Sequence, residues 1–134
     1  MLKPTRVVYG CLLLVACLTG VGCADTGLVV DRTVPFHEPV DEAALERGIR
    51  LTPGVELTRI ERHEDKADRY LFEAQAFDFF GLAEHASGSA DVRFRVRRYH
   101  GRPTPTHVQA ANTMLDRMVE RIEQAMADRR KAAR

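Results

Sequence analysis

The feature that most constrains the fold is a segment in which apolar residues and arginines alternate one by one. The apolar positions are Val92, Phe94 and Val96, and the arginines are Arg93, Arg95 and Arg97. Successive side chains of a β-strand point to opposite faces of its sheet, so the alternation predicts a strand over 92–99 with one buried face. That buried face requires a second layer of structure to cover it.

A long C-terminal helix can supply that layer. Apolar residues recur there at spacings of three and four, as on one face of an α-helix. They are Val108, Ala111, Leu115, Met118, Ile122 and Ala125. Thr106 followed by Gln109 fits a capping box, and a helix of roughly 23 residues is about 35 Å long. Met114, Val119 and Met126 are expected at the exposed edge of this apolar stripe.

Weaker patterns complete the domain. Asp41 to about Gly48 is predicted to be a short helix, with acidic residues in its first turn and glycine at its end. Apolar and aromatic segments predict strands over about 55–62 and 69–80. The segment 81–90, which contains Ser87-Gly88-Ser89, is predicted to be a loop.

These elements define the expected fold. A hairpin centred near residue 85 places Val96 opposite Ala74 and Phe94 opposite Ala76, so that large side chains face small ones. On the outer face the same register places Arg97 opposite Glu73. The sequence therefore predicts an α+β domain. It consists of an antiparallel meander of three to four strands, a short N-terminal helix and a long C-terminal helix packed on one face.

The first 23 residues have the composition of an export signal. Two basic residues, Lys3 and Arg6, precede an apolar run over 7–16. The segment Leu14-Val15-Ala16-Cys17 resembles the lipobox of bacterial lipoprotein precursors. That resemblance implies cleavage before Cys17 and a diacylglyceryl chain, with further acylation, on its sulfur. It covers only the signal, and the rest of the chain resembles no family.

Cys23 is the alternative anchor. It follows Gly20-Val21-Gly22, a looser match to a lipobox, but its choice leaves no unpaired thiol in an oxidising compartment. All three cysteines lie in this segment, so no disulfide framework is expected. Leu18 or Ala24 follows the anchor rather than aspartate, which in lipoproteins implies the outer membrane.

The predicted domain organisation follows from these boundaries. Residues 1–16, or alternatively 1–22, form the signal peptide. Residues 17–40 form a membrane tether and a first strand, where Pro35 and Pro39 exclude a helix. Residues 41–134 form the small α+β domain.

Charge is unevenly distributed along the chain. Residues 24–91 hold 15 acidic and 7 basic side chains, whereas residues 92–134 hold 4 acidic and 11 basic ones. We expect the two halves to pair within one domain. The alternative is that Arg93, Arg95 and Arg97, here called the arginine stripe, bind an anionic ligand such as a phosphate-bearing lipid or glycan.

Motifs for catalysis are not apparent in the sequence. The five histidines lack metal-ligand spacing on a helix, and no Gly-x-Ser-x-Gly elbow occurs. We therefore predict neither a metal nor another cofactor, and expect a non-enzymatic accessory or interaction subunit. Its expected partners are the membrane, through covalent lipid, and an envelope protein. A nucleic-acid partner is not expected for an exported chain.

Overall fold

The structure is a computed structural model that describes residues 27–134. The predictions for the signal segment, Cys17 and Cys23 lie outside these residues. The elements in chain order are β1 (Leu28–Pro35), α1 (Glu42–Arg50), β2 (Glu56–Glu61), β3 (Asp68–Ala74), β4 (Phe79–His85), β5 (Asp91–Arg98) and α2 (Pro105–Ala132). The predicted α+β class and long C-terminal helix are confirmed.

All neighbouring strands of the sheet are antiparallel, in the order β1-β5-β4-β3-β2. Strands β2 to β5 form a meander, and β1 joins it as an edge strand beside β5. The described residues thus hold five strands rather than the predicted three or four, and the short helix lies between β1 and β2. Val29, Phe36 and Val40 are buried, so the segment predicted to combine a tether and a first strand contributes to the core from β1 onward.

Strand β4 is where the prediction of a loop over 81–90 is wrong. Its inward positions are Phe79, Gly81, Ala83 and His85, all of which are buried. Glycine and alanine give almost no apolar signal, so the period of two is hard to see in the sequence. Side chains of the neighbouring strands fill the space that larger residues on β4 would occupy. A Cβ atom on Gly81 would lie 2.3 Å from Cζ of Phe72 on β3.

The predicted register of β5 is also wrong, because β5 pairs with β4 and β1 rather than with β3. Val96 lies opposite Gly81 and Phe94 lies opposite Ala83. Large side chains do face small ones, but on a different partner strand.

The predicted strand over 69–80 is two strands joined by a tight connection. A 3₁₀ turn, Gln75–Phe77, separates β3 from β4. Asp78 follows it with φ of 58°, a left-handed conformation that aspartate adopts more readily than most residues. The chain reverses there, and the aromatic residues after Asp78 begin a new strand.

Helix α1 continues past the glycine that was predicted to end it. Asp41 is the N-cap, and its side chain accepts a hydrogen bond from the backbone N–H of Ala43 at 3.2 Å. Gly48 lies inside the helix and is buried against α2, where a Cβ atom would lie 2.6 Å from Cα of Ile122. Glycine therefore serves here for close helix packing rather than for helix termination.

Helix α2 begins two residues earlier than predicted. Thr104 is the N-cap and Pro105 occupies the first helical position, where its missing N–H has no cost. The capping box pairs Thr104 with His107, whose Nδ1 accepts from the Thr104 backbone N–H at 3.0 Å.

The apolar stripe of α2 is buried as predicted from Ala111 to Ala125, but its edges differ from the prediction. Met114 and Met126 are buried at 7% exposure each, whereas Val108 is 37% exposed. The two methionines therefore widen the packed face of the helix instead of forming an exposed edge. In the part of the chain that the structure describes, neither helix combines the length and apolar character needed to cross a membrane.

Candidate functional site

The arginine stripe lies on the face of the sheet opposite the helices, at three successive outward positions of β5. Arg93 makes a two-pronged contact with Asp31 on β1: its Nε and Nη2 donate to the two carboxylate oxygens at 2.9 and 2.7 Å. This fork geometry is the strongest form of arginine–carboxylate pairing. The two side chains are 49% and 35% exposed, so solvent screens their attraction.

Arg95 pairs in the other direction, with Glu84 on β4. Both side chains are more enclosed than the Arg93–Asp31 pair, at 26% and 20% exposure. Arg97 lies opposite Phe80 rather than the predicted Glu73 and is half-buried. Sequence reasoning thus located the stripe correctly but named the wrong acidic neighbour, because it placed β5 beside β3.

The stripe changes the acidity of its partner. Hydrogen bonds from Arg93 hold the pKa of Asp31 below its ordinary value, and the positive charges of Arg95 and Arg97 act in the same direction. Asp31 is therefore ionised at neutral pH, and the two carboxylates offset part of the positive charge of the stripe.

The two halves of the charge distribution pair with each other, as predicted. Besides the two pairs on the sheet, Arg129 and Arg130 near the end of α2 contact Asp41 and Glu38 in the segment before α1. One pair has its base in the first half of the chain and its acid in the second: Arg32 on β1 donates to Asp116 on α2 at 2.7 Å.

The sheet has two ends that differ in chemistry. We call the end at which β1 begins the proximal end; it comprises residues 27–28, 75–79 and 97–102. The opposite end, here called the distal end, carries the loops 62–67 and 86–90. The backbone N–H of Arg98 donates to the Gly27 carbonyl at 2.8 Å, which fixes the point where the chain enters the sheet at the proximal end.

The distal end contains a buried polar cluster that sequence reasoning missed. Asp68 and His85 are directly opposite each other on β3 and β4, with exposures of 8% and 1%. Nε2 of His85 lies 2.9 Å from the Ser89 carbonyl and so donates to it, and Oδ1 of Asp68 accepts from the His63 backbone N–H at 2.9 Å. Both contacts fasten distal loops to the sheet.

Nδ1 of His85 has no hydrogen-bond partner within residues 27–134, and the hydroxyl of Tyr70 is buried close to Arg62. Burial raises the pKa of Tyr70, and the positive charge of nearby Arg62 partly offsets that effect. An open cleft of about 770 Å³ lies at this end, and charged side chains of both signs line it, among them Glu42, Arg62 and Asp68. Neither His85 nor Tyr70 lines the cleft, so neither is positioned for acid–base chemistry on a molecule bound there.

The proximal end contains aromatic rings instead. Phe80 and Tyr99 pack with centroids 4.5 Å apart, and Phe77 stacks on Phe79 at 5.4 Å. Phe77 and Tyr99 are nevertheless 46% and 50% exposed. The aromatic residues between Phe77 and Phe80 are visible in the sequence, but their pattern predicts the interior of one long strand rather than an exposed end of the sheet.

Within residues 27–134, groups of three or more His, Cys, Asp or Glu side chains placed to hold a metal ion do not occur. Comparison with protein-family models, curated proteins and solved structures finds no match to this chain.

Proposed function

We propose that this chain is a bacterial envelope lipoprotein whose domain acts as a non-enzymatic accessory subunit. The observation that carries the proposal is the N-terminal sequence, in which a basic start and an apolar run lead to Leu14-Val15-Ala16-Cys17. Exported and cleaved before Cys17, or before the alternative Cys23, the chain is held by its lipid on the membrane. Two or more acyl chains suffice for stable anchoring, and the outer membrane is the proposed location.

The domain is consistent with such a role. Its core is one continuous cluster that includes both helices and the inner face of the sheet, and the sequence has no cysteine beyond residue 23. Folding therefore needs no disulfide. The buried histidine and carboxylate of the distal end are used in holding loops, which supports a binding or scaffolding role over a catalytic one.

The test of the anchor is the intact mass of protein extracted from membranes. Cleavage before Cys17 leaves six more residues, 17–22, than cleavage before Cys23. We expect Cys17→Ser to abolish lipidation, with the unprocessed precursor accumulating, and Cys23→Ser to leave it intact. The opposite pattern assigns the anchor to Cys23, and lipid-free protein in the wild type contradicts the proposal.

The test of the accessory role is a crosslinked pull-down of the tagged, lipidated protein from native membranes. Enrichment of one envelope complex over a Cys17→Ser, Cys23→Ser control supports the role. A protein list identical to that control counts against it.

The alternative function is binding of an anionic envelope ligand on the arginine stripe. The observation in its favour is that the three arginines of the stripe share the solvent-facing side of β5. Phosphate groups would have to compete with Asp31 and Glu84 for the same guanidinium groups. Replacing Arg93, Arg95 and Arg97 together with glutamine is expected to abolish any preference for phosphatidylglycerol over phosphatidylcholine vesicles if this function holds, with circular dichroism confirming the fold. An unchanged preference excludes it.

A further inference from the structure

We infer that the proximal end of the sheet rests on the lipid surface, with Phe77 and Tyr99 in the membrane interface. This inference rests on the proposed lipid anchor and adds an orientation to it. The bound partner is thus a phospholipid surface, and the contact site is the aromatic proximal end.

The first support is the place where the chain enters the domain. Gly27 lies at the proximal end, hydrogen-bonded to Arg98. An anchor at Cys23 is four residues away and therefore reaches about 14 Å at full extension. An anchor at Cys17 is ten residues away and reaches about 35 Å. The shorter tether holds the proximal end beside the lipid. The longer tether lets other faces of the domain reach the lipid as well, so that surface chemistry determines which face makes the contact.

The second support is that surface chemistry. Among residues 27–134, the large hydrophobic side chains that stay exposed are Leu51, Phe77, Tyr99 and Val108. Phe77 and Tyr99 belong to the proximal end, and Val108 lies in the first turn of α2, which starts six residues after Tyr99. The distal loops contain no large hydrophobic residue, since their sequences are Arg-His-Glu-Asp-Lys-Ala and Ala-Ser-Gly-Ser-Ala.

The third support is the match to the membrane interface. Tyrosine is enriched at this depth because its ring is apolar and its hydroxyl is polar. Here the Tyr99 ring packs on Phe80 while its hydroxyl donates to Glu73. Arg98 and Arg102 accompany the rings, and long arginine side chains can bury their stems while their charged groups stay at the level of the phosphates.

A basic surface at the other end competes with this orientation only weakly. The C-terminal end of α2 is also rich in arginine and lysine, but its Arg129 and Arg130 are paired with Asp41 and Glu38. That end offers anionic lipid a partly neutralised surface without exposed aromatic rings.

The absence of tryptophan from the chain makes a direct depth measurement possible. Tyr99→Trp and Phe77→Trp each place a single fluorophore at the proximal end, and Ser87→Trp places one in an exposed distal loop as a matched control. Each full-length, lipidated variant is reconstituted into phosphatidylcholine vesicles with and without brominated acyl chains, which quench tryptophan on contact. We expect at least twofold quenching for both proximal variants and less than 10% for Ser87→Trp.

The outcomes separate this inference from the proposal on which it depends. Flotation of the same vesicles reports whether the chain is anchored at all. If the protein floats and the proximal variants are unquenched, or Ser87→Trp is quenched as strongly, the orientation is wrong while the anchor stands. If the protein does not float, both the anchor and the orientation fail. Either proximal reporter suffices should the other variant misfold.

Discussion

At the scale of single residues, Gly48 shows how packing overrides intrinsic preference. In an exposed helix, replacing glycine with alanine stabilises by about 1 kcal/mol. At position 48 the added methyl group would meet backbone atoms of Ile122, with Cα at 2.6 Å and N at 2.7 Å. Because backbone cannot rotate aside as a side chain can, we expect Gly48→Ala to destabilise by about 1–3 kcal/mol. Urea denaturation of the variant and the wild type measures this difference in the free energy of unfolding.

The exposed position Ala43 on the same helix provides the control for Gly48. Ala43→Gly is expected to cost only the helix preference, about 1 kcal/mol. A Gly48→Ala variant as stable as the wild type would show that α1 and α2 are not in close contact at this point.

Also at the residue scale, the pairing of Arg93 with Asp31 predicts a pH dependence. The pKa of Asp31 lies below its ordinary value of 3.8 in the folded chain. The pair therefore stabilises the fold above about pH 4, and this contribution is lost as the pH falls through the lowered pKa. We expect Arg93→Gln to raise the pKa of Asp31 toward 3.8, as followed by NMR of the carboxyl carbon.

Arg69 provides a matched control for Arg93, because it lies on the same sheet face but opposite Glu84 and Glu61. Arg69→Gln should leave the pKa of Asp31 unchanged. Equal shifts in both variants would mean that the general field of the face, rather than the hydrogen bonds, holds Asp31 ionised.

At the scale of elements, α2 shows that an apolar position in the periodic stripe of the sequence is buried only where another element packs against it. Leu115 and Val108 belong to the same apolar stripe of the sequence, yet Leu115 is fully buried and Val108 is 37% exposed. Leu115→Ala should therefore cost about 2–5 kcal/mol, and Val108→Ala at most about 0.5 kcal/mol. Thermal or urea unfolding of the two variants gives the comparison, and similar losses would place Val108 in the core after all.

The elements also show where sequence reasoning stops. Strand β5 and helix α2 were predictable because each has a repeated contrast between apolar and polar positions. Strand β4 was not, since Gly81 and Ala83 are inward residues whose size is explained only by Phe72, Phe94 and Val96 on neighbouring strands. The distal cluster escaped for a related reason: Asp68 and His85 are 17 positions apart and meet only through the β3–β4 pairing.

At the scale of the whole molecule, β1 determines where the folded domain starts. The sequence predicts that the domain begins at residue 41. In the structure, β1 pairs along its length with β5, and Phe36 and Val40, which follow β1 in the chain, are buried. Without β1, the backbone edge of β5 and the apolar side chains Val92, Phe94 and Val96 lose their cover on that side. Small domains have little stability to spare, about 5–15 kcal/mol in total.

Two truncated chains test this boundary in the whole molecule. A chain that starts at residue 27 keeps every contact described above, so we expect a single cooperative unfolding transition with a midpoint within a few degrees of the full chain. A chain that starts at residue 41 loses β1 together with buried Val29, Phe36 and Val40. It is expected to lack a cooperative unfolding transition, and its amide NMR signals are expected to lose their dispersion. A cooperative transition in the shorter chain would show that β1 is an accessory edge, with the core complete from α1 onward.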